Sequence, residues 1–193
     1  MKELIDFFIP YNNENTFLDV DNSTYNEPIF LYSLKDFELK NKENKELKMR
    51  SGIIIKDKYS FKDIEKAKKL SEIVVVKSGE DLRSVIEKST KIFIYGTEFS
   101  PRQDFIHQRD SGLNHVLLDI AIKNKIKFIF SIHDYMLLDN VNKAKVLGRL
   151  KQNIEMLKKF NAKPIIASFA ENKYEIKKDR ELLIKLLESN RVY

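Results

Sequence analysis

The chain has 193 residues, no cysteine and no tryptophan, and 35 Lys/Arg against 29 Asp/Glu, for a net charge of +6. That length suits one well-buried core, and the lack of cysteine excludes disulfides, thiolate metal sites and cysteine nucleophiles. No apolar run approaches the roughly 20 residues of a membrane span, and the start MKELIDFFIP has neither the basic region nor the cleavage site of a signal peptide.

A single domain over residues 1–193, placed in the cytoplasm and away from membranes, is therefore expected. The charge is uneven, with 13 Lys/Arg against 6 Asp/Glu in residues 140–193 and 22 against 23 before them. A polyanion such as RNA is the natural partner of a basic half, and a set of solvated lysine-rich helices is the alternative.

Residues 1–9 carry Leu4, Ile5 and Phe8 at helical spacing, and the polar stretch 11–15 breaks the pattern ahead of a strand at 16–20. A second apolar run covers 29–34. Residues 38–48 are so charged, with no clear apolar face, that a loop or frayed helix is expected. Gly52 to Lys56 reads as a strand, and Ser60 with Asp63 as a capping box for a helix lined by Phe61, Ile64, Ala67 and Leu70.

From there strands and helices alternate: strand 73–77, helix 80–88, strand 91–95. A helix follows from about residue 111, capped by Asp110 or Ser111, with Leu113, Val116, Leu117, Ile120 and Ala121 on one face and Leu118 and Ile122 on the other. An apolar run at 126–132 fits a parallel strand buried on both faces. A basic helix over 142–160, a strand at 163–169 and a helix at 179–189 complete the pattern. Repeated β/α units point to a barrel-like parallel sheet of about seven strands. It is expected to be incomplete or distorted, because an eight-stranded barrel typically uses about 250 residues.

The stretch RDSGLNHVLLDIAIKN at 109–124, continued by KFIFSI, GRLKQNIEMLKKFNA at 148–162, KPIIASFA at 163–170 and IKKDRELLIKLLES at 176–189, resembles ribonuclease P protein component 3. This is the thirty-kilodalton subunit family of archaea and eukaryotes. The resemblance implies a barrel of seven strands, similar to that of the polymerase and histidinol phosphatase phosphoesterases. It implies membership in a ribonucleoprotein that removes the 5′ leader of precursor tRNA, with RNA as the catalyst. The partners implied are ribonuclease P RNA, protein component 2 in a heterotetramer of two copies each, other ribonuclease P proteins and precursor tRNA. The chain itself is expected to bind no cofactor, magnesium accompanying the RNA subunit. In this family a helix usually follows the first strand, whereas only eight residues separate Val20 from Ile29, so the first unit is expected to be truncated.

The candidate RNA-binding or assembly residues are Arg102, Arg109, His115, Lys123, Lys125, Arg149 and Lys151. Arg109, ahead of a helix start, can grip a phosphate beside free backbone N–H groups, or form an ion pair with Asp104 or Asp110. His115 reads as an RNA contact or as the i, i+4 partner of Asp119. Lys123 and Lys125 suit the negative end of the helix dipole without any further role. Arg149 and Lys151 lie on a basic helix whose bland reading is a solvated face. No catalytic or metal-ligating residue is expected. The competing reading is a metal-dependent phosphoesterase using Asp19, Glu98, His133, Asp134 and Ser168 at strand ends. The three histidines, His107, His115 and His133, are too few and too scattered for such a site. A protein scaffold without RNA contact is the third reading.

Overall fold

The computed structural model describes residues 5–9, 27–46, 50–56, 59–105 and 109–171. Seven strands form one sheet in sequence order: β1 Ile5–Phe8, β2 Glu27–Tyr32, β3 Arg50–Ile55, β4 Val74–Lys77, β5 Phe93–Tyr95, β6 Lys127–Ser131 and β7 Ile165–Ala167. Every neighbouring pair is parallel. The two outer strands also approach each other. Phe8 bridges Ala170, the Ile9 N–H donates to the Ala170 carbonyl at 3.1 Å, and the Phe169 N–H donates to the Phe7 carbonyl at 3.0 Å. The sheet is therefore a nearly closed TIM-like barrel.

Helices α1 Phe37–Glu46, α2 Phe61–Leu70, α3 Leu82–Lys88, α4 His115–Lys123, α5 Ile132–Met136 and α6 Asn140–Lys159 connect the strands. Because successive side chains on a strand point to opposite faces, the strands fill two separate cores. Phe7, Ile29, Leu31, Ile54, Val75, Tyr95, Ile129 and Phe169 pack together inside the barrel. Phe8, Phe30, Ile53, Val74, Val76, Ile94, Phe128 and Phe130 face outward onto the helices. Phe169 is buried in the left-handed backbone region at φ 50°, an uncommon place for a bulky residue. Its ring stacks on Tyr95 at 4.9 Å and on Phe7 at 6.2 Å, so the inner core holds the turn that joins the seam.

Several expectations change. The N-terminal segment contains a strand, β1, in place of a helix, and parallel pairing with β2 outweighs the spacing of Ile5 and Phe8. With β1 at 5–8, residues 9–26 lie between the first two strands, and the expected truncation of the first unit, read between Val20 and Ile29, falls mostly outside the described residues. The expected strand at 16–20 and helix at 179–189 lie outside the described residues. The charged stretch after residue 38 is helical as α1, anchored by buried Phe37 while Leu39 stays exposed. The predicted capping box of α2 is present, with the Ser60 N–H donating to the Asp63 carboxylate at 2.8 Å. That bond holds Asp63 below the usual carboxylate range.

Helix α4 begins later than the spacing suggests. Asn114, not Asp110 or Ser111, caps it by accepting from the Leu117 N–H at 2.9 Å. Its inner face is Leu117, Leu118 and Ala121, while Val116 is 54% exposed. The helix is thus apolar mainly on one side, with Val116 and Ile122 left at the surface.

Candidate functional site

The loop after β5 and the start of the α4 segment meet α6 in a polar cluster. Arg149, in the middle of α6, is only 1% exposed. A buried guanidinium requires nearly all its donors paired, and here they are. Nε and Nη2 both donate to Asp104 Oδ1 at 2.7 Å, Nη1 donates to the carbonyls of Ser100 and, at 3.4 Å, Glu98, and Nη2 also donates to the Arg102 carbonyl. One side chain thereby holds residues 98–104 against α6.

Burial would raise the Asp104 carboxyl, but the Asp110 N–H at 2.9 Å and the Arg149 guanidinium outweigh it and hold the group below the usual carboxylate range. Asp110 in turn accepts from the Gly112 N–H at 3.0 Å, closing a turn in which Gly112 has a φ of 80°.

Two further arginines are mounted on this frame. Arg102, 57% exposed, lies 3.7 Å from Asp110, and Arg109, 46% exposed, lies 3.7 Å from Asp104. Both separations exceed hydrogen-bond length, so the two guanidinium groups remain directed to solvent with their charge only partly compensated. The Arg109 backbone is clamped by Gln152 of α6, which accepts from its N–H at 3.3 Å and donates to its carbonyl at 2.8 Å. Its guanidinium lies on the bare Cα of Gly148, where any Cβ would collide with it.

Beneath the cluster runs a buried polar chain. Ser111 donates to Asn153 at 2.6 Å, Asn153 donates to Thr97 at 3.2 Å, and Thr97 lies 3.4 Å from the Glu98 carboxyl. Glu98 is 1% exposed. Burial, reinforced by the charge of Asp134, pushes its pKa up to about 8 in spite of backbone hydrogen bonds from its own residue and Ser131. It is therefore mainly protonated at neutral pH.

Glu98 and Ser168 follow strands β5 and β7, Ser131 ends β6, and all sit at the end of the barrel where such folds usually place reactive groups. All three are buried. The His133 N–H donates to the Ser168 carbonyl at 3.0 Å, and Ser131 caps α5 through the Asp134 N–H at 3.2 Å. Among the described residues no group of three or more His, Asp or Glu is placed to hold a metal ion. Asp19, part of the competing metal reading, lies outside the described residues.

No family model matches the chain. Over 145 residues it is 27% identical to ribonuclease P protein component 3 of Methanocaldococcus jannaschii and 25% identical to that of Methanococcus maripaludis strain C5, in each case covering 72% of this chain and 60% of the relative. The protein of the same name from Archaeoglobus fulgidus is 22% identical over 130 residues, 62% of this chain and 65% of the relative. A chain of the cryo-EM structure of archaeal ribonuclease P with mature tRNA superposes with a TM-score of 0.70 at 22% identity, covering 95% of this chain and 82% of that one. The chain is similar to ribonuclease P protein component 3. It spans about three fifths of the length of the first two relatives. A probable 2-pyrone-4,6-dicarboxylic acid hydrolase of Acinetobacter baumannii shares the fold, with a TM-score of 0.64 at 10% identity over 97% of this chain and 92% of that one.

The structure divides the set of candidate residues read from the sequence. Arg102 and Arg109 come together. Arg149 joins them only from beneath, so the expected solvated helix face is corrected for this residue: it is buried and its donors are spent on Asp104 and three carbonyls, which shapes the loop that carries the other two. Arg109 does not reach the start of α4, since the helix begins six residues later and the side chain lies on α6 instead.

His115 and Lys123 lie exposed on α4, where Asp119 pairs with Lys123 at 2.6 Å. Lys125 follows α4 and precedes β6, which places it at the opposite end of the barrel from the arginine cluster. Lys151 is exposed on α6 beside Gln152. No helix among the described residues is long and apolar enough to cross a membrane.

The residues missed by sequence reasoning are Gly148, Gln152 and Asn153. An isolated glycine inside a helical pattern was the available signal.

Proposed function

We propose that the chain is a protein subunit of ribonuclease P, assisting a catalytic RNA in removing the 5′ leader of precursor tRNA. The observation that carries this reading is the agreement of two likenesses, in sequence to component 3 proteins and in fold to a chain of archaeal ribonuclease P. In this reading the chain has no catalytic site of its own, and the metal is the magnesium that accompanies the RNA.

In this reading Arg102 and Arg109 contact RNA phosphates, and His115, Lys123, Lys125 and Lys151 add sequence-independent charge or meet partner proteins. Protein component 2, in a heterotetramer of two copies each, and the other ribonuclease P proteins are the proposed partners in the cytoplasm. Val116 and Ile122, exposed beside these charges, suit a protein contact on α4.

The test is cleavage of precursor tRNA by the chain alone, by the RNA alone, and by both with component 2. Stimulation of RNA-dependent cleavage on adding this chain is expected. Phosphoester hydrolysis by the chain with divalent metal and no RNA would instead support the hydrolase reading. Tight binding to component 2 without salt-dependent affinity for RNA would support a scaffold.

A further inference from the structure

Helix α6 carries a glycine at position 148, in the interior of a 20-residue helix where glycine is a poor helix former. Its place is explained by what lies on it. The Arg109 guanidinium occupies the space a Cβ would take, and Gln152, one turn further along the same face, holds the Arg109 backbone at both its N–H and its carbonyl. The side chain and main chain of one residue are thus seated on adjacent turns of α6.

A merely structural arginine would be expected to direct its fork into a carboxylate, as Arg149 does. Arg109 instead stands 3.7 Å from Asp104, a charge contact without a hydrogen bond, and is 46% exposed. The seat fixes the direction of the guanidinium while leaving its donors available.

We propose that Gly148 and Gln152 are positioning residues: they form a seat that presents Arg109, beside Arg102, as a rigid two-pronged donor to a phosphodiester of RNA. This rests on the ribonuclease P reading. An arginine ordered before binding loses less side-chain freedom on contact, so residues that never touch RNA contribute to affinity through it.

The experiment uses the full chain and the ribonuclease P RNA encoded by the same genome. It compares wild type, Gly148→Ala, Arg109→Ala and the double variant for RNA affinity across a salt series and for melting temperature. Gly148→Ala is expected to weaken binding about as much as Arg109→Ala and to reduce the slope of log affinity against log salt by about one phosphate contact. The double variant should lose nothing further.

In melting, Gly148→Ala should change the midpoint little in the wild-type background, where displacing the Arg109 guanidinium offsets the gain in helix propensity, and raise it in the Arg109→Ala background, where nothing is displaced. Should Gly148→Ala alone not fold, Gln152→Ala keeps the helix and is expected to show the same loss of salt slope. Additive losses in the double variant would overturn the proposal, as would an unchanged slope in Gly148→Ala or Gln152→Ala when Arg109→Ala lowers it. If wild type shows no salt-dependent RNA binding, the function reading fails and the seat has no RNA to serve. The melting comparison separately reports whether Gly148 and Arg109 are coupled.

Discussion

Arg149 and Asp104, 45 residues apart in sequence, meet so that two guanidinium nitrogens converge at 2.7 Å on one carboxylate oxygen. Arg149 also gathers the carbonyls of residues 98, 100 and 102. The pair therefore sets the path of the loop on which both exposed arginines stand. Removing the arginine would strand a charged carboxylate and several carbonyls, a change that typically costs about 3–5 kcal/mol. Arg149→Ala is expected to lower the melting temperature by roughly 10 °C, given about 2–4 °C per kcal/mol for a chain of this size. A shift below about 2 °C would mean that the loop holds its path without this bond.

The exposed pair behaves oppositely. Arg102→Ala and Arg109→Ala remove only long surface ion pairs, worth about 0–1 kcal/mol each. Melting should hardly change, while reconstituted cleavage of precursor tRNA should weaken most at low magnesium, where protein cations matter more. Equal activity of variant and wild type across a magnesium series would argue against phosphate contact by these residues.

Glu98 gives the protein a pH dependence of known sign. Its folded pKa of about 8 lies above the ordinary 4.5, so between those values the folded state keeps a proton the unfolded chain has released. Stability from this group is complete below about pH 4.5 and is lost as pH rises through about 8, on the order of several kcal/mol in all. Glu98→Gln, neutral at every pH, should melt higher than wild type at pH 9 and flatten the decline. Parallel melting curves of wild type and variant between pH 5 and pH 9 would contradict the assignment.

Lys125 sits just past the end of α4 with a φ of 56°. Its N–H donates to the Ile122 carbonyl and the Ile126 N–H to the Ala121 carbonyl, a Schellman motif in which glycine is the usual residue. Lys125→Gly should therefore stabilise the fold by about 0.5–1 kcal/mol. If Lys125 touches RNA, the same variant binds RNA more weakly despite melting higher, and a calorimetric scan paired with a binding titration separates the two effects.

Much of the barrel was readable because parallel strands buried on both faces are continuous apolar runs, and β2 to β7 all have that character. β1 was not, since Ile5 and Phe8 also suit a helix and only pairing with β2 decides between the two. The start of α4 was misplaced because Ser111, a good cap by type, is bonded to Asn153 instead. Burial of Arg149 was legible in principle: it falls with Val146, Leu150, Asn153, Ile154 and Leu157 on the inner stripe of α6. Reading it as surface followed residue type over position. The seat of Arg109 was beyond reach, because it depends on which loop crosses which turn of the helix.

The seam between Phe8 and Ala170 bears on how the chain folds. Phe7 and Ser168, 161 residues apart, meet there through a side-chain contact to the Phe7 carbonyl, so β1 has a partner that is made long after it. Each internal strand can pair with its predecessor soon after both exist, but the rim stays open until β7 arrives. Closing so long a loop is slow, and until then β1 offers an unpaired edge. The seam should be the last part to gain hydrogen-exchange protection during refolding.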